Sequence, residues 1–244
     1  MRFAACVFMF LLVNTVFIKG FAQSLDDSTR VLVLDENDKL PDGARLMDNI
    51  KVNGGFRGCG YGPTMIAAKK KARYAGGNII KITELKCPDH WNSCFRLRAD
   101  VYYADNIGGM ITDKERALDS AIAGLLPDTA SYALLYVYRP RGSAGALVSY
   151  NLHVEDSDVC RVSNGSKFAI KIYNKGETRI WARTESRKEI NLYVKPGKVY
   201  FLRCFVRMGI VVGEPEFDLI DPYQAYYEFF SCPYDDDAQP DDKR

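Results

Sequence analysis

The sequence predicts an α+β fold: a small disulfide-bonded domain with one helix on an antiparallel sheet, then an antiparallel β-sandwich closed by a short C-terminal helix. Three observations predict it. One helical period, over residues 64–74, stands among short strand-like runs in the first half of the chain. From residue 131 onward, runs rich in Val, Ile, Tyr and Phe recur between turn residues at the spacing of a sandwich. At 47% hydrophobic and 26% charged, the composition is that of a folded globular chain and excludes a disordered, collagenous or coiled-coil one.

The elements follow in order. Arg2 precedes a nearly unbroken apolar run over 3–18, and Gly20 and Ala22 supply the small residues that a signal peptidase reads. Residues 1–22 therefore read as a signal peptide cut after Ala22. The run is shorter than the roughly twenty residues needed to span a bilayer, no second stretch reaches that length, and no cysteine stands at the cut to take a lipid. The protein is expected to be exported, in the periplasm or associated with the cell envelope, and soluble after cleavage. The 33 basic and 31 acidic residues become equal in number once Arg2 and Lys19 leave with the leader, so nothing in the charge calls for nucleic acid.

Residues 30–104 form the first domain. Strands are expected over 31–34, 44–52, 78–85 and 94–103, the last alternating Phe95, Leu97, Ala99, Val101 and Tyr103 on one face. The helix over 64–74 places Met65, Ala68, Ala72 and Ala75 on one side, and Gly76-Gly77 ends it. Residues 105–130 form a linker with a short helix over 113–126, in which Ala117, Ile122 and Leu125 turn inward and Pro127-Asp128 stops the chain. The sandwich, 131–232, has strands over 132–138, 147–154, 168–173, 179–184, 189–194 and 199–206. Asp221-Pro222 then gives an N-cap with proline at the first helical position. Tyr223, Tyr226, Tyr227 and Phe230 follow at i, i+3, i+4 and i+7, a stripe expected to lie against the sheet. The acidic tail, 233–244, is expected to be disordered.

Two blocks resemble known families. Gly54-Gly55-Phe56 with Cys59, the lysine-rich helix, the run from Ala75 to Ile82 and Ser93-Cys94-Phe95-Arg96-Leu97 resemble the small periplasmic domain of the Rcs-system stress-sensor lipoprotein and its Bacteroidota relatives. That resemblance implies a Cys59–Cys94 disulfide. The sensor's second bridge has no counterpart for Cys87 in the last strand, and the sensor's signalling role, which needs a lipid anchor, is not carried over. The second block is similar to a bacterial exported domain of unknown function with a transthyretin-like or immunoglobulin-like sandwich. Its matching residues are Ala133 to Pro140, Thr178-Arg179-Ile180-Trp181-Ala182 and Val194 to Arg203. No activity comes with it.

Six cysteines follow the leader, an even number that in an oxidising compartment favours disulfides, and no Cys-x-x-Cys occurs. Beyond Cys59 and Cys94, three pairings of Cys87, Cys160, Cys204 and Cys232 are open. Cys204, in a strand, and Cys232, after the closing helix, are the favoured pair.

Residues able to carry chemistry are few. Gly58-Cys59-Gly60-Tyr61-Gly62 lacks both the dinucleotide spacing and the Gly-Lys-Ser/Thr ending of a phosphate loop, and reads as a flexible approach to a disulfide. Asp89 and His90 are adjacent, so they point apart, and no third ligand accompanies them; Trp91 is expected to cover the disulfide. His153 reads as a surface histidine, and Lys69-Lys70-Lys71 with Arg73 as a solvated basic face. Glu155, Asp156, Asp158 and Glu185 supply carboxylates, but spacing selects no pair for glycoside hydrolysis. The candidate binding residues are Trp91, Tyr223, Tyr226 and Tyr227, because exposed aromatic rings stack on sugars or seat a protein partner. The expectation is a non-catalytic, exported envelope protein that binds, senses or supports, with no catalytic residue, cofactor or metal. Its partner would be another envelope protein or a cell-wall or glycan component. The alternative is a hydrolase of envelope polymers with its site between the two domains.

Overall fold

The computed structural model describes residues 23–54, 60–207, 209 and 212–234. The expected leader, Cys59 and residues 235–244 of the expected tail lie outside the described residues.

The first sheet has the order β1-β3-β4-β2, from β1 (Leu32–Leu34), β2 (Arg45–Asn53), β3 (Ile79–Lys86) and β4 (Arg96–Tyr103). β4 pairs antiparallel with both β2 and β3, but β1 joins β3 in parallel. This corrects the expected all-antiparallel sheet: β2 and α1 (Tyr61–Tyr74) lie between β1 and β3 in the chain, a crossover long enough to bring it back in the same direction. α1 ends at two glycines that serve different needs. Gly76 takes φ +77°, open to glycine without strain. Gly77 allows close approach, since a Cβ there would lie 2.2 Å from a methyl of Val101.

α2 (Gly108–Ala123) begins earlier than the expected helix over 113–126. It buries Ile111, while Ala117 is exposed, because Ile107 and Ile111, one turn apart, close a small core over Leu32, Leu34 and Ile79.

The second half is a sandwich of two four-stranded sheets. One, β10-β9-β6-β7, is wholly antiparallel and consists of β6 (Tyr150–Val154), β7 (Ser157–Val162), β9 (Gly176–Arg183) and β10 (Arg187–Val194). The other, β12-β11-β5-β8, consists of β5 (Ala133–Tyr138), β8 (Lys167–Ile172), β11 (Val199–Arg207) and β12 (Glu214–Ile220). Here β5 and β11 run parallel, a second correction to the antiparallel expectation. Two strands were absent from the sequence prediction. β7 opens with Ser-Asp after an acidic turn, and β12 opens with Glu-Pro; Pro215 is tolerated because β12 is an edge strand paired only with β11.

β5 explains how the halves join. All six of its residues are buried. Ala133, Leu135 and Val137 face the sandwich interior, with Leu202 and Cys204 of β11. Leu134, Tyr136 and Tyr138 face the other way, into a second core that also holds Phe201, Ile50, Val52, Leu97 and the buried face of α1. One sheet is thus the wall between two cores, and α3 (Pro222–Ser231) lies in the second of them.

The cysteines follow from this layering. Cys232 is joined to Cys87, and Cys160 and Cys204 are free and buried. The expected Cys204–Cys232 pair is overturned because the two side chains lie in different cores, Cys204 inside the sandwich and Cys232 beyond its wall. Cys94 is disulfide-bonded. The tail expectation also needs one change: Tyr234 is buried, and its hydroxyl donates to the carbonyl of Glu228 at 2.9 Å.

Candidate binding site

α3 starts as its sequence dictates. The Asp221 carboxylate accepts the Tyr223 amide at 3.0 Å, and Pro222 fills the first turn, where no amide is needed. The buried stripe is not the expected one. Ala225, Glu228 and Phe229 face the core with Cys232, whereas Tyr223 and Phe230 are 49% and 42% exposed. The expected packing of Phe230 is corrected to Phe229, whose ring meets Tyr136 edge-on at 4.7 Å. Both stripes have helical spacing, and the true one contains a glutamate, which pattern alone assigns to water.

Glu228 is buried because it has partners. Its carboxylate accepts the Tyr61 amide at 2.7 Å and the Tyr138 hydroxyl at 2.9 Å, and lies 3.5 Å from the Arg203 guanidinium. Tyr61 is the first residue of α1, a helix with no capping side chain and no acidic residue in its first turn. Glu228 supplies the negative charge that this helix end favours, from a position 167 residues away.

Beside this contact, α1, α2, α3 and β1 enclose a cavity of about 290 Å³. Its apolar lining comes from Val31, Val33, Met65, Ile66 and Leu118, and its aromatic lining from Tyr61, Tyr223 and Tyr227. Tyr61 and Tyr227 stack at 4.8 Å. Tyr223 donates its hydroxyl to Asp119 of α2, which ties α3 to α2 across the site and raises the phenol pKa. Tyr227 is likewise raised, first by burial and then by the Asp35 charge.

The charged lining is mostly self-paired. Lys114 contacts Asp35 at 3.2 Å and also Asp38; burial opposes its charge, but these hydrogen bonds prevail and hold its pKa above the usual value. Glu115 pairs with Arg30 at 2.8 Å. Lys69 makes no hydrogen bond or ion pair among the described residues. Burial, then the nearby Arg73 charge, lowers its pKa, with Glu115 opposing. The cleft can hold a small molecule by apolar and ring contact, with one cationic group among the described residues left to orient it.

Of the candidate binding residues, the structure brings Tyr223 and Tyr227 to this cleft. Tyr226 leans on Phe230 at 4.8 Å outside its lining, and Trp91 is 90% exposed. Trp91 therefore stands in solvent, where a ring packed as a cover was expected. Its loop is fixed by Asp89, which accepts the Trp91 and Asn92 amides at 2.8 Å each and pairs with Arg96. His153 stacks on Trp181 at 4.0 Å.

The nominated carboxylates are spread over separate contacts within the sandwich. Glu155 accepts the Arg179 amide at 2.6 Å, Asp158 accepts from Asn151 at 2.6 Å, and Glu185 accepts the Gly213 amide at 3.1 Å. Asp156 lies 3.6 Å from Arg179. The basic run of α1 is divided: Lys69 enters the cleft, Lys71 donates to the Lys51 carbonyl and Arg73 to the Thr29 carbonyl. A second cavity of about 220 Å³ lies between the two halves, and Glu228, already held by three groups, is the carboxylate in its lining. Sequence reasoning missed Tyr61, Lys69 and Leu118 as cleft residues; the available signal was Ile66, an apolar residue one turn before Lys69 and off the Met65–Ala68–Ala72 face.

Residues 129–215 match the model of DUF2846, a family described as a protein of unknown function. No curated protein and no solved structure matches the chain. The match covers most of the sandwich and none of the cleft residues. The resemblance of the first block to the stress-sensor domain finds no support in these comparisons.

Proposed function

We propose that this is an exported, non-catalytic binding protein of the cell envelope whose ligand site is the cleft between α1, α2 and α3. The observation that carries this reading is the cleft's construction: stacked Tyr61 and Tyr227, an exposed Tyr223 and an apolar wall converge from four elements on one concavity. Small-molecule sites are concave, mainly apolar and provided with a few placed polar groups. The signal-like leader and the Cys87–Cys232 disulfide support export. Within the fold, the sandwich acts as the rigid base that seats α3.

The test is a thermal-shift screen of the purified chain against fractionated envelope lipids, glycans and peptides, run beside Ile66→Trp. Ile66 is 66% exposed, so the larger ring obstructs the cleft at little cost to the core. A stabilising fraction that loses its effect on Ile66→Trp supports the reading. Stabilisation indifferent to that substitution, or release of cleaved fragments from envelope polymers, overturns it.

A further inference from the structure

We propose that the cleft takes a small amphiphilic anion: an apolar or aromatic body carrying one carboxylate, sulfonate or phosphate, which the Lys69 ammonium receives. The proposal rests on reading the cleft as a ligand site and names the class of ligand.

The charged groups of the lining differ in whether they have a direct partner. Asp35 is opposed by Lys114, which also holds Asp38, and Glu115 is opposed by Arg30. Each of these groups has an ion-pair partner, and Asp35 and Asp38 share one. Lys69 is the exception, half-buried beside Met65 and Ile66 with no hydrogen-bond or ion-pair partner among the described residues. An ammonium withdrawn from water needs a partner, and an anionic ligand group would provide a charge-assisted bond in surroundings drier than the open surface. The rest of the wall determines the body of the ligand. Val31, Val33, Leu118 and the Tyr61–Tyr227 stack offer apolar and ring surface, and a volume of about 290 Å³ suits a short chain or a single ring system rather than a polymer. Glu115, whose charge favours that of Lys69, is engaged with Arg30, so it repels an anionic ligand only weakly.

Isothermal titration of the full chain with octanoate, octan-1-ol and octylammonium tests the class, because the three share a body and differ in head group. Octanoate is expected to bind about tenfold or more tightly than octanol, the scale of one charge-assisted hydrogen bond. Octylammonium is expected to bind weakest. Lys69→Met, which keeps a linear apolar stem, should erase the octanoate preference and leave octanol affinity unchanged. Ile66→Trp should weaken octanoate and octanol alike, with its circular dichroism unaltered. Equal binding of all three, or preference for octylammonium, with Ile66→Trp still obstructing, overturns the anion class and leaves the cleft as a ligand site. Octanoate binding that Ile66→Trp does not weaken, or no binding of any of the three, overturns the cleft itself.

Discussion

The two cores on either side of the β5–β11 sheet are built differently. The sandwich interior is filled mainly by aliphatic side chains from neighbouring strands, with two free, buried thiols among them. The core around α3 is assembled from segments far apart in the chain and is fixed by directional bonds: Glu228 to Tyr61, Tyr138 and Arg203, and the Cys87–Cys232 disulfide across 145 residues. Adjacent hairpins need only apolar volume to find their register. A helix arriving at the end of the chain could seat in several rotations about its axis, and satisfying a buried carboxylate selects one of them.

The largest test of this contrast is the disulfide. On chain-entropy grounds, Cys87→Ser with Cys232→Ser should cost about 5 kcal/mol, measured by urea unfolding. Native-state hydrogen exchange should place the loosening at α3 rather than in β6, β7 and β9. Protection lost equally in both cores would remove the distinction. Next is the helix face. Phe229→Ala should cost about 4 kcal/mol by cavity formation, and Phe230→Ala about 1 kcal/mol, since Phe230 keeps much of its surface in water. Equal losses would mean that the stripe is assigned to the wrong residues.

Glu228→Ala strands three partners at once. Discounted for the partial exposure of Arg203, the loss should be about 3 kcal/mol, and Glu228→Gln should recover part of it by still accepting one bond. Chevron or equilibrium data showing no difference between the two would reduce Glu228 to a space-filler.

The smallest effect sharpens the sandwich side. Burial pushes the Cys204 thiol up to about 12 from its ordinary 9.0, and Cys160 is raised in the same direction. The folded state therefore keeps protons that the unfolded chain releases. Stability is full below pH 9 and falls as pH rises from there toward 12, by about 1 kcal/mol for Cys204 at pH 10. Cys160→Ala with Cys204→Ala should flatten the slope between pH 9 and 10, where unfolded-chain tyrosines, with an ordinary value of 10.0, count less.

Much of the architecture was legible along the chain because it is local. Met65, Ala68 and Ala72 mark the inner face of α1, and Asp221-Pro222 opens α3 where its chemistry requires. β7 and β12 were hidden by Ser-Asp and Glu-Pro openings that read as turn residues. Of the site, Tyr223 and Tyr227 could be nominated from sequence, but Tyr61, Lys69 and Leu118 could not: Lys69 and Leu118 read as ordinary helical residues, and Tyr61 as part of a glycine-rich approach to a disulfide, until other helices face them.

The sequence by itself determined most of the strands and the three helices among the described residues, because period, capping and turn chemistry act over a few residues. Tertiary structure alone decided which way α3 rolls, which cysteine meets Cys87 and which lysine of three enters a cleft. The first two depend on bonds between groups 100 residues or more apart, Tyr61 and Glu228 at a separation of 167 and Cys87 and Cys232 at 145. A carboxylate's preference for water or for the core is settled by the donors that folding places around it.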